Sequence, residues 1–163
     1  FEMNPTKMNS TYPDANFTMR VSYGNVKSYN PKDAVKYDFY CTLSGVASKY
    51  VKGDYEFDLP SKFLDLYKAK DYGPYADKKI GDVVVSFITT NDITGGNSGS
   101  PVLDANGNLI GLAFDGNYEA LSHKIAFDSE LNRTICVDVR YVLWCIDKLG
   151  GAKHIVDELK LVQ

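Results

Sequence analysis

Ser100-Pro101-Val102-Leu103-Asp104-Ala105-Asn106-Gly107-Asn108-Leu109-Ile110-Gly111-Leu112-Ala113-Phe114 sets an Asn-Gly pair between two apolar runs. Asn-Gly accepts the positive φ of a tight turn at little cost, so this stretch predicts a hairpin of strands over 100–103 and 109–114. Upstream, Val83-Val84-Val85-Ser86-Phe87-Ile88 lies between Gly81-Asp82 and Thr89-Thr90-Asn91-Asp92 and predicts a strand buried on both faces. Earlier still, Phe17, Met19, Val21 and Tyr23 alternate, and Val26 and Tyr29 follow Gly24-Asn25, the pattern of a hairpin over 17–29. Tyr37 to Leu43 is a further strand candidate. Ser44–Val51 and Ser61–Tyr72 carry helical spacing, the second through Phe63, Leu64 and Tyr67. The tail changes period: Val139, Val142, Leu143, Ile146 and Leu149 share one helical stripe closed by Gly150-Gly151, and Ile155, Val156 and Leu159 begin a second short helix. Strands first and helices last, without βαβ alternation, predict a mainly β fold, an antiparallel barrel with short inserted helices and C-terminal helices. Residues 1–16 read as a lead-in segment and 17–163 as the folded domain.

The chain of 163 residues is 44% apolar and 24% charged, which excludes disorder, coiled coil and collagen. Its 18 Lys+Arg are scattered against 21 Asp+Glu, so the net charge of -3 offers no footprint for nucleic acid or an anionic membrane. No uncharged apolar run approaches the roughly 20 residues of a membrane span. Cys41, Cys136 and Cys145 are odd in number and lack CxxC spacing, which points to buried free thiols rather than a zinc ribbon or disulfide framework. No cluster of ligating side chains implies a metal or other cofactor. The two histidines, His123 and His154, both lie in the last quarter, and the first residue is Phe1, as in a processed product or an excised piece.

Thr94-Gly95-Gly96-Asn97-Ser98-Gly99-Ser100-Pro101-Val102 is where chemistry concentrates. A nucleophilic serine on a tight loop needs flanking glycines, because a carbonyl carbon must approach within about 3 Å while main-chain N–H groups face the developing oxyanion. Ser98 fits the nucleophile, and the N–H groups of Gly96 and Ser98 have the one-residue separation that an oxyanion hole requires. A merely flexible loop fits poorly, since Pro101 and a structured hairpin follow at once. Other residues read more plainly. Asp92 is a loop residue. His123 follows Ser98 and Asp115 in the order of α/β-hydrolases, but Gly96-Asn97-Ser98-Gly99-Ser100 lacks the last Gly of their elbow and leads into a strand. His154 reads as solvent-facing, and Asp104-Ala105-Asn106-Gly107-Asn108 as a turn without the frame of a calcium loop. Asn9-Ser10-Thr11, Asn16-Phe17-Thr18 and Asn132-Arg133-Thr134 are chance glycosylation triplets, and the twelve tyrosines are dispersed as packing residues.

The serine loop resembles the Gly-Asp-Ser-Gly-Gly-Pro signature of chymotrypsin-like peptidases, and more closely its Gly-Asn-Ser-Gly-Ser-Pro variant. Taken with Tyr12–Asn16, Arg20–Val26, Gly111–Asn117 and Val137–Leu143, it resembles the C-terminal part of the bacterial dipeptidyl-peptidase 7/11 family, serine exopeptidases that remove dipeptides from free peptide N-termini. The resemblance implies a double chymotrypsin-like β-barrel with a helical insertion, of which this chain is the second barrel. Ser98 is then the nucleophile, with Gly96 in the oxyanion hole. The catalytic His and Asp come from the upstream half of the same protein, so the isolated chain is expected to be inactive. Asp115 matches the acid that holds the substrate's α-amino group. Gly116 stands where acid-specific members carry Arg, which implies an open pocket with apolar or broad preference for the second residue. Asn97 replaces the Asp that pairs with a new N-terminus in trypsin-like enzymes. His123-Lys124 and Trp144-Cys145 depart from the family pattern and bear on local packing. The resemblance further implies peptide substrates, a periplasmic or cell-surface setting in a Gram-negative bacterium, and a homodimer as one arrangement of the whole enzyme. Its rivals are a trypsin-like endopeptidase and a catalytically silent peptide-binding module.

Overall fold

A computed structural model describes residues 19–122 and 127–162. Its strands are β1 (Tyr29–Lys32), β2 (Val35–Tyr37), β3 (Tyr40–Thr42), β4 (Val84–Thr89), β5 (Pro101–Leu103), β6 (Leu109–Gly116) and β7 (Thr134–Asp138). The helices are α1 (Leu43–Ser48), α2 (Ser61–Ala69), α3 (Val139–Trp144) and α4 (Lys153–Asp157), with 3-10 turns at Gly73–Tyr75 and Tyr118–Ser122 and a π turn at Cys145–Leu149. β1 and β2 form a hairpin, and the other five strands lie in the order β3-β4-β7-β6-β5. β3 runs antiparallel to β4 and β5 to β6. The fold is mainly antiparallel β with short helices and a helical C-terminus, as the patterning predicts. The lead-in segment lies outside the described residues, and among those described no helix is long and apolar enough to cross a membrane.

The chain divides into two compact units. The unit of residues 40–87, 101–112 and 137–163 holds a core of Leu43, Phe63, Tyr72, Tyr75, Val83, Leu143, Trp144 and Val156. Trp144 is fully buried, meets Phe63 edge to face at 5.4 Å, and donates its indole N–H to the Asp71 carbonyl at 3.0 Å. Asp138 caps α3 by accepting from the Arg140 N–H at 2.8 Å, and the Arg140 guanidinium returns to both Asp138 oxygens and to Asp77. Main-chain donors from Lys79, then Arg140, hold the Asp77 carboxyl below the usual carboxylate range. The stripe read as one helix from Val139 to Leu149 is α3 followed by a wider turn, closed by Gly150 N–H on the Cys145 carbonyl at 2.7 Å. A side chain at 150 would meet the Ile146 carbonyl at 2.9 Å, so only glycine permits that closure.

Burial, and then the hydrogen bond from its hydroxyl to Asp147, pushes the Tyr75 phenol up to about 12. An unfolded tyrosine releases its proton near pH 10. Between pH 10 and about 12 the native state therefore binds more protons than the unfolded one, and stability falls as pH rises. Denaturant midpoints measured at pH 8, 10 and 12 are expected to decline less steeply in Tyr75→Phe than in the unsubstituted protein; parallel declines would refute this account.

The second unit comprises residues up to 39, 88–100 and 113–136. Here the hairpin expected over 17–29 is corrected. Phe17 lies outside the described residues, while Met19, Val21 and Tyr23 are 93%, 81% and 91% exposed. Residues 25–27 instead lie along the end of β4. Val26 bridges Thr89, Asn25 and Thr90 exchange bonds at 3.0 Å, and the Lys27 N–H reaches the Ile88 carbonyl. Gly24 is needed for close approach rather than for turning, since a Cβ there would stand 2.5 Å from the Asn91 nitrogen. The chain turns later, between β1 and β2, where Ala34 takes a φ of 59°. β7, central in the sheet, escapes the sequence reading. Among the thiols, Cys136 is buried as expected and Cys145 half-buried, whereas Cys41 is exposed because β3 is an edge strand.

Candidate active site

The serine loop is shaped by its own side chains. The Asn97 N–H donates to the Thr94 carbonyl at 3.1 Å, and the Thr94 N–H donates to Asn97 Oδ1 at 2.8 Å. Asn97 is therefore spent on making the turn. Gly96 and Gly99 take φ of 96° and 82°, conformations in which other L-residues are strained. The far side of the loop is fastened to β6, with Gly99 N–H on the Ala113 carbonyl at 2.7 Å and Ala113 N–H on the Ser100 carbonyl at 2.9 Å.

Ser98 is presented at the outside of this turn. Its hydroxyl is exposed and donates to the Phe114 carbonyl at 3.0 Å. Among the described residues the N–H groups of Gly96 and Ser98 make no hydrogen bond, while those of Asn97, Gly99 and Ser100 are all engaged. The loop thus leaves the Gly96 and Ser98 donors, one residue apart on either side of Asn97, open to an oxyanion, with the Gly95 N–H also unengaged. No histidine is hydrogen-bonded to Ser98 among the described residues, His154 being exposed on α4 and His123 lying outside them.

β6 carries Asp115 and Gly116 immediately past Phe114. The Asp115 carboxylate is exposed, with Oδ1 accepting from the Gly116 N–H at 2.8 Å. Ser98, Asp115 and Gly116 all border one cleft of about 310 Å³, whose apolar lining comes from Ile93, Phe114, Ala120, Leu121 and Phe127. Asp92 also lies on its wall, with one carboxylate oxygen taken by the Ile93 N–H at 3.0 Å. Asp104 is elsewhere, in the β5–β6 turn, where its oxygens accept from Asn106 and Asn108 and its carboxyl is held below the usual range by those bonds.

The supports of the cleft escape the sequence reading. Asn117 is buried and fully used: Oδ1 accepts from Arg133 N–H at 2.8 Å, while Nδ2 donates to Glu119 and to the Leu131 carbonyl. Arg133, only 2% exposed, gives its guanidinium to the carbonyls of Lys27, Ser28, Ser129 and Asn132 and lies over the Tyr29 ring. A buried cation requires such saturation. The Tyr29 hydroxyl donates to Glu119 at 2.8 Å, so the start of the 3-10 turn that borders the cleft is anchored. Burial, with Glu119 adding to it, raises the Tyr29 phenol above its ordinary value. In the sequence Asn132-Arg133-Thr134 shows only as a glycosylation triplet; the signal available was a lone Arg leading into a β-branched run.

The chain is 60% identical over 151 residues to dipeptidyl-peptidase 7 of Phocaeicola vulgatus, covering 93% of this chain and 21% of that protein. It is 54% identical over 151 residues to the Asp/Glu-specific dipeptidyl-peptidase of Flavobacterium psychrophilum, with the same two coverages of 93% and 21%. Among solved structures, Porphyromonas endodontalis DPP11 in complex with substrate superposes with a TM-score of 0.85 at 43% identity, over 91% of this chain and 22% of that one. The chain thus spans about a fifth of the length of these relatives. The model of the peptidase S46 family matches residues 1–161, and the chain belongs to that family.

Proposed function

We propose that the protein to which this chain belongs is a serine dipeptidyl-peptidase, and that this chain supplies its nucleophile, its oxyanion hole and part of its substrate cleft as the second of two β-barrels. One observation carries the reading: the exposed Ser98 hydroxyl sits on a glycine turn that leaves the Gly96 and Ser98 N–H groups unengaged, at the edge of a cleft bordered by an exposed carboxylate. A histidine from the upstream part accepts the Ser98 proton as Oγ leaves the Phe114 carbonyl and attacks the second peptide carbonyl of the substrate. The N–H groups of Gly96 and Ser98 take the oxyanion. The protonated histidine then gives its proton to the departing amine, and water releases the dipeptide from the acyl-enzyme. Asp115 binds the substrate's α-ammonium, which fixes the cut at two residues. A periplasmic or cell-surface location suits an enzyme acting on free peptides.

With no side chain at Gly116 and an apolar lining, the cleft favours an apolar second residue. A second reading, acidic preference, is favoured by the similarity to Asp/Glu-specific relatives. The buried cation bordering the cleft, Arg133, argues against it, because four of its five N–H donors are taken by carbonyls. Dipeptide release by the full-length protein from paired peptides with Leu or Asp at the second position decides between them, with Leu expected to be faster.

Asp115→Asn is expected to lower kcat/KM for free peptides about 30- to 100-fold, the loss of a charge-assisted hydrogen bond to an ammonium. It should narrow the gap to N-acetylated peptides, which carry no charge there. An unchanged preference for free N-termini would remove Asp115 from this role.

A further inference from the structure

Gly116 owes its freedom from side chains to one neighbour. Its φ is not positive, so its backbone would accept any residue. A Cβ built on it, however, lies 3.2 Å from the Cβ of Ala120, tighter than ordinary van der Waals contact. Ala120 borders the same cleft and is only 7% exposed.

Ala120 cannot easily retreat. Its N–H donates to the Asn117 carbonyl at 3.0 Å. The preceding Glu119 accepts from the Tyr29 hydroxyl and from Asn117 Nδ2, both at 2.8 Å. Asn117 is in turn tied to Arg133 through Oδ1 and through its own main-chain N–H. The methyl group at 120 is thus held against the space above Gly116 by a network whose polar atoms are already satisfied.

We propose that Ala120 is a specificity-determining residue of the cleft: its methyl, paired with the bare Gly116, sets the width available to the substrate's second side chain. The inference rests on the dipeptidyl-peptidase reading and deepens it. The cleft accepts apolar side chains up to a size that position 120 defines. A side chain at 116 would press on Ala120 rather than strain its own backbone, so the two positions are coupled.

The test uses the full-length protein and a series of peptides with Ala, Val, Leu or Phe at the second position. Ala120→Val adds bulk where a single methylene discriminates by about tenfold or more. The ratio of kcat/KM for Phe over Ala is expected to fall about tenfold, chiefly through KM. Ala120→Gly should move the same ratio in the opposite direction. If the valine variant does not fold, the glycine variant carries the test alone, because it adds no volume. An unchanged size ranking in a folded variant overturns the proposal while leaving the dipeptidyl-peptidase reading in place. Failure of the unsubstituted protein to release dipeptides from any peptide of the series overturns that reading, and this one with it.

Discussion

Ser98→Ala in the full-length protein is expected to lower kcat for dipeptide release on the order of 10⁶-fold, the scale on which removal of a serine nucleophile acts. Labelling by a fluorophosphonate should disappear with it. Peptide binding should persist, because the serine hydroxyl contributes to the reaction rather than to the walls of the cleft. Stability should change little, since the side chain is exposed and its one recorded bond is to the Phe114 carbonyl. That carbonyl is main-chain and remains open to water in the variant. Retained turnover would exclude Ser98 as nucleophile and with it the proposed function. Lost turnover accompanied by unfolding would contradict the loop geometry instead.

Gly96→Val ranks next. The φ of 96° at this position is strained for any side chain, and more so for a β-branched one. The loop is exposed, and its main-chain bonds to β6 lie beyond the serine, through Gly99 and Ser100. It relieves the strain by rotating the 95–96 peptide, which turns the Gly96 N–H away from the oxyanion. Loss of one such donor lowers kcat about 10²–10³-fold. KM should move far less, because the donor matters most once the carbonyl oxygen carries charge. A rise in KM with kcat preserved would assign Gly96 to substrate binding instead.

What could be read from the chain divides by the range of the interactions involved. The β5–β6 hairpin was legible because Asn106-Gly107 specifies its own turn and the flanking apolar residues specify its strands. The serine loop was legible for the same reason, since Gly96, Asn97 and Gly99 enforce its shape within a few residues. β7 was not. Thr134 to Asp138 carries no turn signal, and its place between β4 and β6 is decided by partners far away in sequence. The alternation of Met19, Val21 and Tyr23 misled because period two signals an extended backbone and not what covers its faces. Gly24 had the appearance of a turn residue, but its missing Cβ serves the approach to Asn91. Among the site residues, Ser98, Asp115 and Gly116 were visible as a family pattern. Ala120, Asn117 and Arg133 were not, because their work is to hold one another and only coordinates show which carbonyls the buried guanidinium reaches.

Every residue bordering the cleft, from Asn91 to Thr134, comes from one continuous tract of sequence. Within that tract lie the Ser98 hydroxyl, the Asp115 carboxylate and the Gly116–Ala120 pair. A single short exchange of coding sequence between relatives could therefore transplant these lining residues together, leaving outside it only the supports from Lys27, Ser28 and Tyr29. Diversification by recombination has an easy route here, whereas substitution at Gly116 alone brings its Cβ to 3.2 Å from that of Ala120.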